Sequence, residues 1–125
     1  MSLRLIIAGG RDYKLTSEDK AALDALMGRV VEVVCGCCTG ADEGGKQWAI
    51  DHNIPVQYFP ANWTKYGDAA GPIRNEQMAV YANAVALFPG GKGTASMARI
   101  AKGYGLRIFD FRKPLIPSPF SQFEE

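Results

Sequence analysis

The sequence predicts an α/β fold with three layers, α/β/α, built around a mainly parallel five-stranded sheet. Short apolar runs alternate with segments of helical periodicity, and several of these runs pass directly into glycine-rich turns. β-Branched runs that are bounded by Gly or Pro are typical of strands buried on both faces. Alternation with helices favours right-handed crossovers, which leave helices on both sides of a parallel sheet. The predicted architecture is therefore Rossmann-like.

The five predicted strands are short, apolar and bounded by turn residues. They are residues 3–8, 30–35, 55–59, 84–88 and 106–109. Four helices are predicted between them from N-cap candidates and helical spacing. The first begins after Thr16 and has an apolar stripe that reaches Val30, and the second runs from Gly40 to His52. The third begins after Gly71 with Pro72 in its first turn, and the fourth begins near Gly93 and ends at Gly105.

Composition limits the classes of partner. The chain has 125 residues, 47% hydrophobic and 22% charged, which suits one globular domain, predicted over residues 1–111. Residues 112–125 form a proline-containing tail without periodicity. The formal net charge is +1 and there is no Lys/Arg run. Nucleic acid is therefore disfavoured as a partner, whereas a small anion can be bound by backbone amides alone.

The cysteines and the apolar runs indicate the compartment. Cys35, Cys37 and Cys38 are odd in number and crowded, which argues against a disulfide framework and for a reducing environment. No apolar stretch has the length of a membrane span, and the N-terminus lacks a signal pattern. A cytoplasmic location is expected. With His52 far away in sequence, these cysteines do not form a zinc motif, and neither a metal nor a bound cofactor is predicted.

The turn after the fourth strand has the strongest ligand-binding signal. It places Gly90, Gly91 and Gly93 within four positions, followed by Thr94 at the start of a helix. Glycines allow a phosphate to approach the backbone closely, and the first amides of the helix then point at the anion. The Thr94 hydroxyl can add a donor. A tight turn without a ligand is the alternative interpretation.

Two more turns are predicted at the same edge of the sheet. Gly9, Gly10 and Arg11 follow the first strand, and Arg11 can either contact a phosphate or pair within the protein. The second strand leads into a turn whose candidate ligand-binding residues are Gly36, Thr39, Gly40 and Asp42. Asp42 can accept a hydrogen bond from a ribose or cap the helix. Three such turns at one edge favour a ligand site there.

Residues 60–71 are predicted to form a long loop, and such loops often bind ligands. Trp63 or Tyr66 can stack on a base, or either can cover the core. Arg74 and Asn75 follow in the first turn of a helix and can reach a ligand across the edge.

Several motifs resemble the YspA-like branch of the SLOG superfamily, in order and over residues 3 to about 109. They are Gly-Gly-Arg-Asp-Tyr (9–13), Thr-Gly-Ala-Asp (39–42), Pro-Ala-Asn-Trp (60–63), Lys-Tyr-Gly-Asp-Ala-Ala-Gly-Pro-Ile-Arg-Asn-Glu-Gln-Met (65–78) and Phe-Pro-Gly-Gly-Lys-Gly-Thr (88–94). The resemblance implies a Rossmann-like fold and relation to the Lonely Guy phosphoribohydrolases, to sensors of nucleotide-derived signals and to DNA-processing protein A. It also implies a homodimer or a larger homo-oligomer.

The hydrolytic half of the Lonely Guy site is not matched. Arg74 and Met78 fit that family's Arg-x-x-x-Met pattern, but the glutamate of Pro-Gly-Gly-x-Gly-Thr-x-x-Glu is replaced by Met97. A thioether cannot accept a proton. The first hypothesis is therefore binding of a phosphorylated nucleotide or a nucleotide-derived small molecule, as a sensor or accessory component. The alternatives are a phosphoribohydrolase-like enzyme using another carboxylate (Asp12, Asp42, Glu43 or Glu76) and a DNA-associated module.

Overall fold

The computed structural model describes residues 2–36 and 40–112, and it confirms the predicted fold class. Five strands form one sheet in the order β3-β2-β1-β4-β5, and every neighbouring pair is parallel. The strands are β1 (Leu3–Ala8), β2 (Val30–Cys35), β3 (Val56–Tyr58), β4 (Ala84–Leu87) and β5 (Arg107–Asp110). Arg112 is the last residue that the structure describes, so the rest of the predicted tail, residues 113–125, lies outside the described residues.

Five α-helices connect the strands. They are α1 (Ser17–Asp24), α2 (Gly40–Asp51), α3 (Trp63–Tyr66), α4 (Ala70–Tyr81) and α5 (Lys92–Gly103). Two buried clusters show that helices cover both faces of the sheet. Leu5 and Ile7 of β1 pack with Trp48 of α2 on one face. Ile6 and Ala8 face the other way, and pack with residues of α4 and α5. This alternation is expected when both faces of a strand are buried.

The strand order reverses direction at β1. The chain runs from β1 outward through β2 to β3, then returns to β4 on the other side of β1. The last residues of the central pair, Ala8 and Leu87, lie side by side in register. The turns that follow β1 and β4 therefore start at the same level. In an open α/β sheet, the crevice at this reversal is where ligands bind.

Helix ends follow local sequence signals. The predicted N-cap Thr16 accepts a hydrogen bond from the Asp19 amide, and the Asp19 side chain accepts one from the Thr16 amide, which completes a capping box. At the end of α5, Gly105 has a φ of 73°. Its amide donates to Lys102 and that of Leu106 donates to Ala101, the pattern of a Schellman cap.

Two predicted boundaries are wrong. The first helix does not continue to Val30: α1 ends at Asp24, a 3-10 turn covers Met27–Arg29, and Val30 opens β2. Leu23 and Leu26 are nevertheless buried, whereas Met27, the first residue of the 3-10 turn, is 40% exposed. The predicted loop 60–71 instead contains α3, a 3-10 turn at Gly67–Ala69 and the first residues of α4.

The outer strands are also less buried than predicted. All four residues of β4 are buried, but β3 and β5 are half-buried or exposed at every position. Each of these two strands lies at an edge of the sheet and pairs on one side only. Tyr104, the residue before Gly105 at the end of α5, is 49% exposed, and its hydroxyl donates to Glu76 at 3.0 Å.

Candidate functional site at the carboxyl edge of the sheet

A cleft of about 880 Å³ opens at the carboxyl edge of the sheet, between the turns after β1, β2 and β4. A second wall of the cleft is formed by the segment that joins β3 to α4. Most of the predicted site residues line it. They are Gly9, Gly10, Arg11, Gly36, Asp42, Trp63, Arg74, Asn75, Gly91, Gly93 and Thr94.

The remaining predicted residues differ in their positions. Gly40 and Gly90 lie in the turns that shape the cleft, where their backbones contact Gly10. Thr39 lies outside the described residues. The three glycine-rich turns thus come together in one region of the fold, as the strand order requires.

The turns after β1 and β4 are in direct contact. The Gly10 amide donates to the Pro89 carbonyl at 2.8 Å. A Cβ atom on Gly90 would lie 2.7 Å from the Gly10 amide nitrogen, a distance that real Cβ atoms essentially never show. Glycine at position 90 therefore allows the two turns to meet and form one wall of the cleft.

The turn before α2 joins the same wall through Gly40. This residue has a φ of 59°, in the left-handed region that favours glycine. A Cβ atom there would overlap the carbonyl oxygens of Gly10 and Arg11. The next amide, from Ala41, donates to the Gly10 carbonyl at 3.1 Å. The start of α2 is therefore bonded to the turn after β1, and its Ala41 amide is not available to a ligand.

The start of α5 is different, because no side chain caps it. Gly91 occupies the N-cap position and has no side chain to accept from the first amides. The amides of Lys92, Gly93 and Thr94 have no acceptor within the helix, as in the first turn of any α-helix. All three residues line the cleft. A twelve-residue helix thus directs free amides and the positive end of its dipole into this space.

Arg74 and Asn75 of α4 bridge two of the turns. Arg74 donates through Nη1 to the Gly36 carbonyl and through Nε to Asn75 Oδ1 at 3.1 Å. Asn75, only 5% exposed, donates to the Gly93 carbonyl over a longer distance of 3.4 Å. The described part of the chain contains ion pairs between His52 and Asp24 and between Arg112 and Asp110, and none of them involves Arg74. Within residues 2–36 and 40–112, its guanidinium charge is therefore not neutralised by a carboxylate.

Charge is distributed unevenly around the cleft. Arg11, Arg74 and Lys92 line it together with the start of α5, and two carboxylates, Asp42 and Asp68, also line it. Glu76, one of the carboxylates considered from the sequence, instead lines a separate groove on the outer side of α4. Of the four carboxylates considered from the sequence (Asp12, Asp42, Glu43 and Glu76), Asp42 is the one that lines the cleft.

Sequence reasoning missed several lining residues. They are Tyr58, Pro60, Ala61, Asp68, Gly71, Pro72, Met78, Lys92, Ser96 and Met97. A signal for two of them was present: Met78 follows Arg74 by four positions and Met97 follows Thr94 by three, spacings that keep side chains on one helix face. Met97 is 1% exposed, so its thioether forms part of the apolar floor.

Tyr13 supports the turn after β1 and provides a pH-dependent test of its structure. Its amide donates to the Gly10 carbonyl, and its hydroxyl donates to Asp19 at 2.5 Å. The hydrogen bond to Asp19, followed by burial, raises the pKa of Tyr13 from 10.0 to about 12. This contribution to stability is complete below pH 10 and is lost as pH rises toward 12, because the folded phenol binds its proton more tightly than the unfolded one.

We expect the free energy of unfolding to fall between pH 10 and 12 more steeply in the wild type than in Tyr13→Phe. Denaturant titrations of both proteins across this range measure the two slopes. The contribution of the other tyrosines cancels when one slope is subtracted from the other. Equal slopes for the two proteins would contradict the role assigned to the Tyr13–Asp19 bond.

Sheet order and cleft together define the class of protein: a Rossmann-like α/β protein with glycine-rich turns at the reversal of strand order. The model of the YspA, cpYpsA-related SLOG family (YAcAr) matches residues 3–66, and the chain belongs to this family. Membership suggests nucleotide-related binding or processing. The matched segment includes the turns after β1 and β2 and ends before α4 and the turn after β4.

Comparison with curated proteins and with solved structures found no match. Across residues 2–36 and 40–112, none of the helices combines the length and apolar character needed to cross a membrane. The same residues contain no group of three or more His, Cys, Asp or Glu side chains arranged to hold a metal ion.

Proposed function

We propose that the protein binds a phosphorylated nucleotide, or a small molecule derived from one, with its phosphate at the start of α5. The observation that carries this proposal is the uncapped α5, whose first amides line the same cleft as Arg74, an arginine that pairs with no carboxylate among the described residues. Free amides at a helix start and an unneutralised guanidinium are complementary to an anion. Family membership supports a nucleotide-related ligand.

Access to the phosphate subsite depends on small residues. A Cβ atom on Gly91 or on Gly93 would meet no other atom within 4 Å, so the space above both residues is open. Open space next to free amides allows phosphate oxygens to approach to hydrogen-bond distance. Thr94 lies in the same turn of helix, and its hydroxyl can donate to the same anion.

The rest of the cleft suits the remainder of a nucleotide. Its volume of about 880 Å³ falls within the range of pockets that hold small molecules. Asp42 lies in the first turn of α2, next to the bonded turns, where a carboxylate can accept hydrogen bonds from ribose hydroxyls. Trp63 lies on the second wall and provides a flat apolar surface for a base.

Binding without cleavage is favoured by the residue at the floor of the cleft. Met97 lines the cleft one helical turn after Thr94, and a thioether can neither accept a proton nor stabilise a developing ribosyl cation. A sensor or accessory role in nucleotide signalling is consistent with a ligand that is held and left intact.

The first test is calorimetric titration of the protein with nucleoside monophosphates, ADP-ribose and NAD-related compounds. We expect at least one of them to bind, and we expect Arg74→Ala to weaken its binding about 10- to 100-fold. This range corresponds to the loss of charged hydrogen bonds worth about 1.5–3 kcal/mol. A saturating ligand should also raise the melting temperature, since a hundredfold excess over Kd adds about 2.7 kcal/mol.

Arg99→Ala is the matched control. Arg99 is an exposed arginine of α5 that does not line the cleft. Removing it changes the net charge equally and should leave the binding constant unchanged. Failure of every compound to bind the wild type would overturn the proposal, as would equal losses in the Arg74 and Arg99 variants.

A second candidate function is hydrolysis of the N-glycosidic bond of a nucleotide, with Asp42 as the acting carboxylate. The observation in its favour is that Asp42 lines the cleft, whereas Glu76 faces another groove. Release of free base from a nucleotide, abolished in Asp42→Asn with nucleotide binding retained, would support it. Intact nucleotide after prolonged incubation with the wild type would exclude this candidate and leave the binding proposal standing.

A further inference from the structure

We propose that the cleft selects nucleotides with a guanine base, read by Asp68 while the base stacks on Trp63. This inference rests on the proposed function and adds the class of ligand. It is carried by the second wall of the cleft, whose lining residues lie between positions 58 and 72. Asp68 was not among the residues predicted from the sequence.

The wall is a structured segment. Asn62 caps the short helix α3 by accepting a hydrogen bond from the Lys65 amide at 3.0 Å, and the Tyr66 amide donates to the Asn62 carbonyl. A 3-10 turn at Gly67–Ala69 then connects α3 to α4. Trp63 and Asp68 therefore lie on one helical insertion, and both line the cleft.

Trp63 has the properties of a stacking surface. It is 49% exposed, although it is the largest apolar side chain of the wall. The ring contacts between aromatic residues in the described part of the chain do not include it. The far edge of its ring would lie 3.4 Å from a Cβ atom on Gly71, so the ring rests against the start of α4. An indole that rests on one edge and is half exposed can stack on a base.

Asp68 supplies only hydrogen-bond acceptors when it is ionised. It is exposed, and it takes part in no hydrogen bond or ion pair among residues 2–36 and 40–112. Guanine presents two adjacent N–H donors, N1–H and the N2 amino group, which match the two oxygens of one carboxylate. Adenine and cytosine place a ring acceptor beside their amino group, and uracil flanks its N3–H with two carbonyls. A carboxylate therefore favours guanine among these bases.

Charge also sets the direction of the ligand. Arg11, Arg74 and Lys92 line the cleft together with the start of α5, whereas Asp68 belongs to the helical insertion that carries Trp63. A phosphate placed beside Asp68 would be repelled, and one placed at α5 would be attracted. The base is thus directed toward Asp68, and the ribose lies between.

The test is calorimetric titration of the wild type with GMP, IMP, AMP and UMP. IMP is the decisive comparison, because it differs from GMP by the missing N2 amino group. We expect GMP to bind about tenfold or more tightly than IMP, and Asp68→Asn to remove this preference. Trp63→Ala should weaken GMP and IMP binding alike by about tenfold or more, because stacking does not distinguish them. Asp51→Asn, an exposed aspartate of α2 outside the cleft, is the matched control and should keep the preference.

The outcomes separate the two proposals. If all four nucleotides bind with equal affinity, or if AMP binds best, the guanine inference is wrong and nucleotide binding stands. The same conclusion follows if the preference for GMP persists in Asp68→Asn. If neither these nucleotides nor ADP-ribose or NAD-related compounds bind, the proposed function fails and this inference fails with it.

Discussion

Gly40→Ala is expected to destabilise the protein by about 3–4 kcal/mol, among the largest effects of any single substitution in the chain. The left-handed conformation alone disfavours alanine by about 1–2 kcal/mol. The new methyl group would also overlap the carbonyl oxygens of Gly10 and Arg11, which are backbone atoms and cannot rotate away. Relief of this overlap requires the start of α2 to move away from the turn after β1. Urea denaturation of the two proteins measures the difference.

Gly105→Ala separates the two causes. Gly105 has a φ of 73° at the left-handed position of the Schellman cap, but a Cβ atom there would meet nothing within 4 Å. We therefore expect a loss of about 1–2 kcal/mol from backbone strain alone. Equal losses in the two variants would mean that the close approach between α2 and the turn after β1 does not contribute.

Gly93→Asp is expected to abolish binding of the phosphorylated ligand while leaving the fold intact. The site has open space for the side chain, so no clash arises. The helix dipole favours a carboxylate in the first turn of α5 by about 0.3–1 kcal/mol. Replacement of glycine by a residue with a Cβ atom also raises the helix propensity, which stabilises α5 further. The same carboxylate would occupy the proposed phosphate subsite. Repulsion of several kcal/mol corresponds to a loss of affinity of about 100-fold or more.

Two control variants make this result specific. Gly93→Ala should be more stable than the wild type by about 0.5–1 kcal/mol and should bind more tightly than Gly93→Asp, since it carries no charge. Gly103→Asp adds the same charge at the other end of α5, also in open space, and should leave ligand binding unchanged. Unaltered affinity in Gly93→Asp, measured by calorimetry, would show that the anion is not bound at the start of α5.

The turns of the candidate site were accessible to sequence reasoning because each turn carries its own local signal. Gly90, Gly91 and Gly93 mark the turn after β4 by their density alone, and Gly105 marks a helix end that has the predicted left-handed conformation. The apolar runs of β1 and β4 are confirmed as buried central strands. Local conformational preference and burial decide these features, and both are written in short stretches of sequence.

The second wall, between β3 and α4, could not be predicted from the sequence in the same way. Residues 60–69 contain Gly, Pro and Asn, which are typical of a loop, and α3 is too short to show a helical period. Asp68 gave no signal at all, because an isolated aspartate in a polar segment is ordinary surface composition. Its presence in the cleft depends on the turn that joins α3 to α4.

By itself, the sequence determined the alternation of strands and helices, the parallel sheet, the three glycine-rich turns and the family to which the chain belongs. Only the tertiary structure decided which groups share the cleft: Arg74 bonded to Gly36, Asn75 bonded to Gly93, and Asp68 lining the same cleft as the start of α5. The physical reason is the distance along the chain over which each interaction acts. Turn and strand preferences act over a few neighbouring residues, whereas these groups come from distant segments that meet only when the sheet order β3-β2-β1-β4-β5 brings the strand ends together.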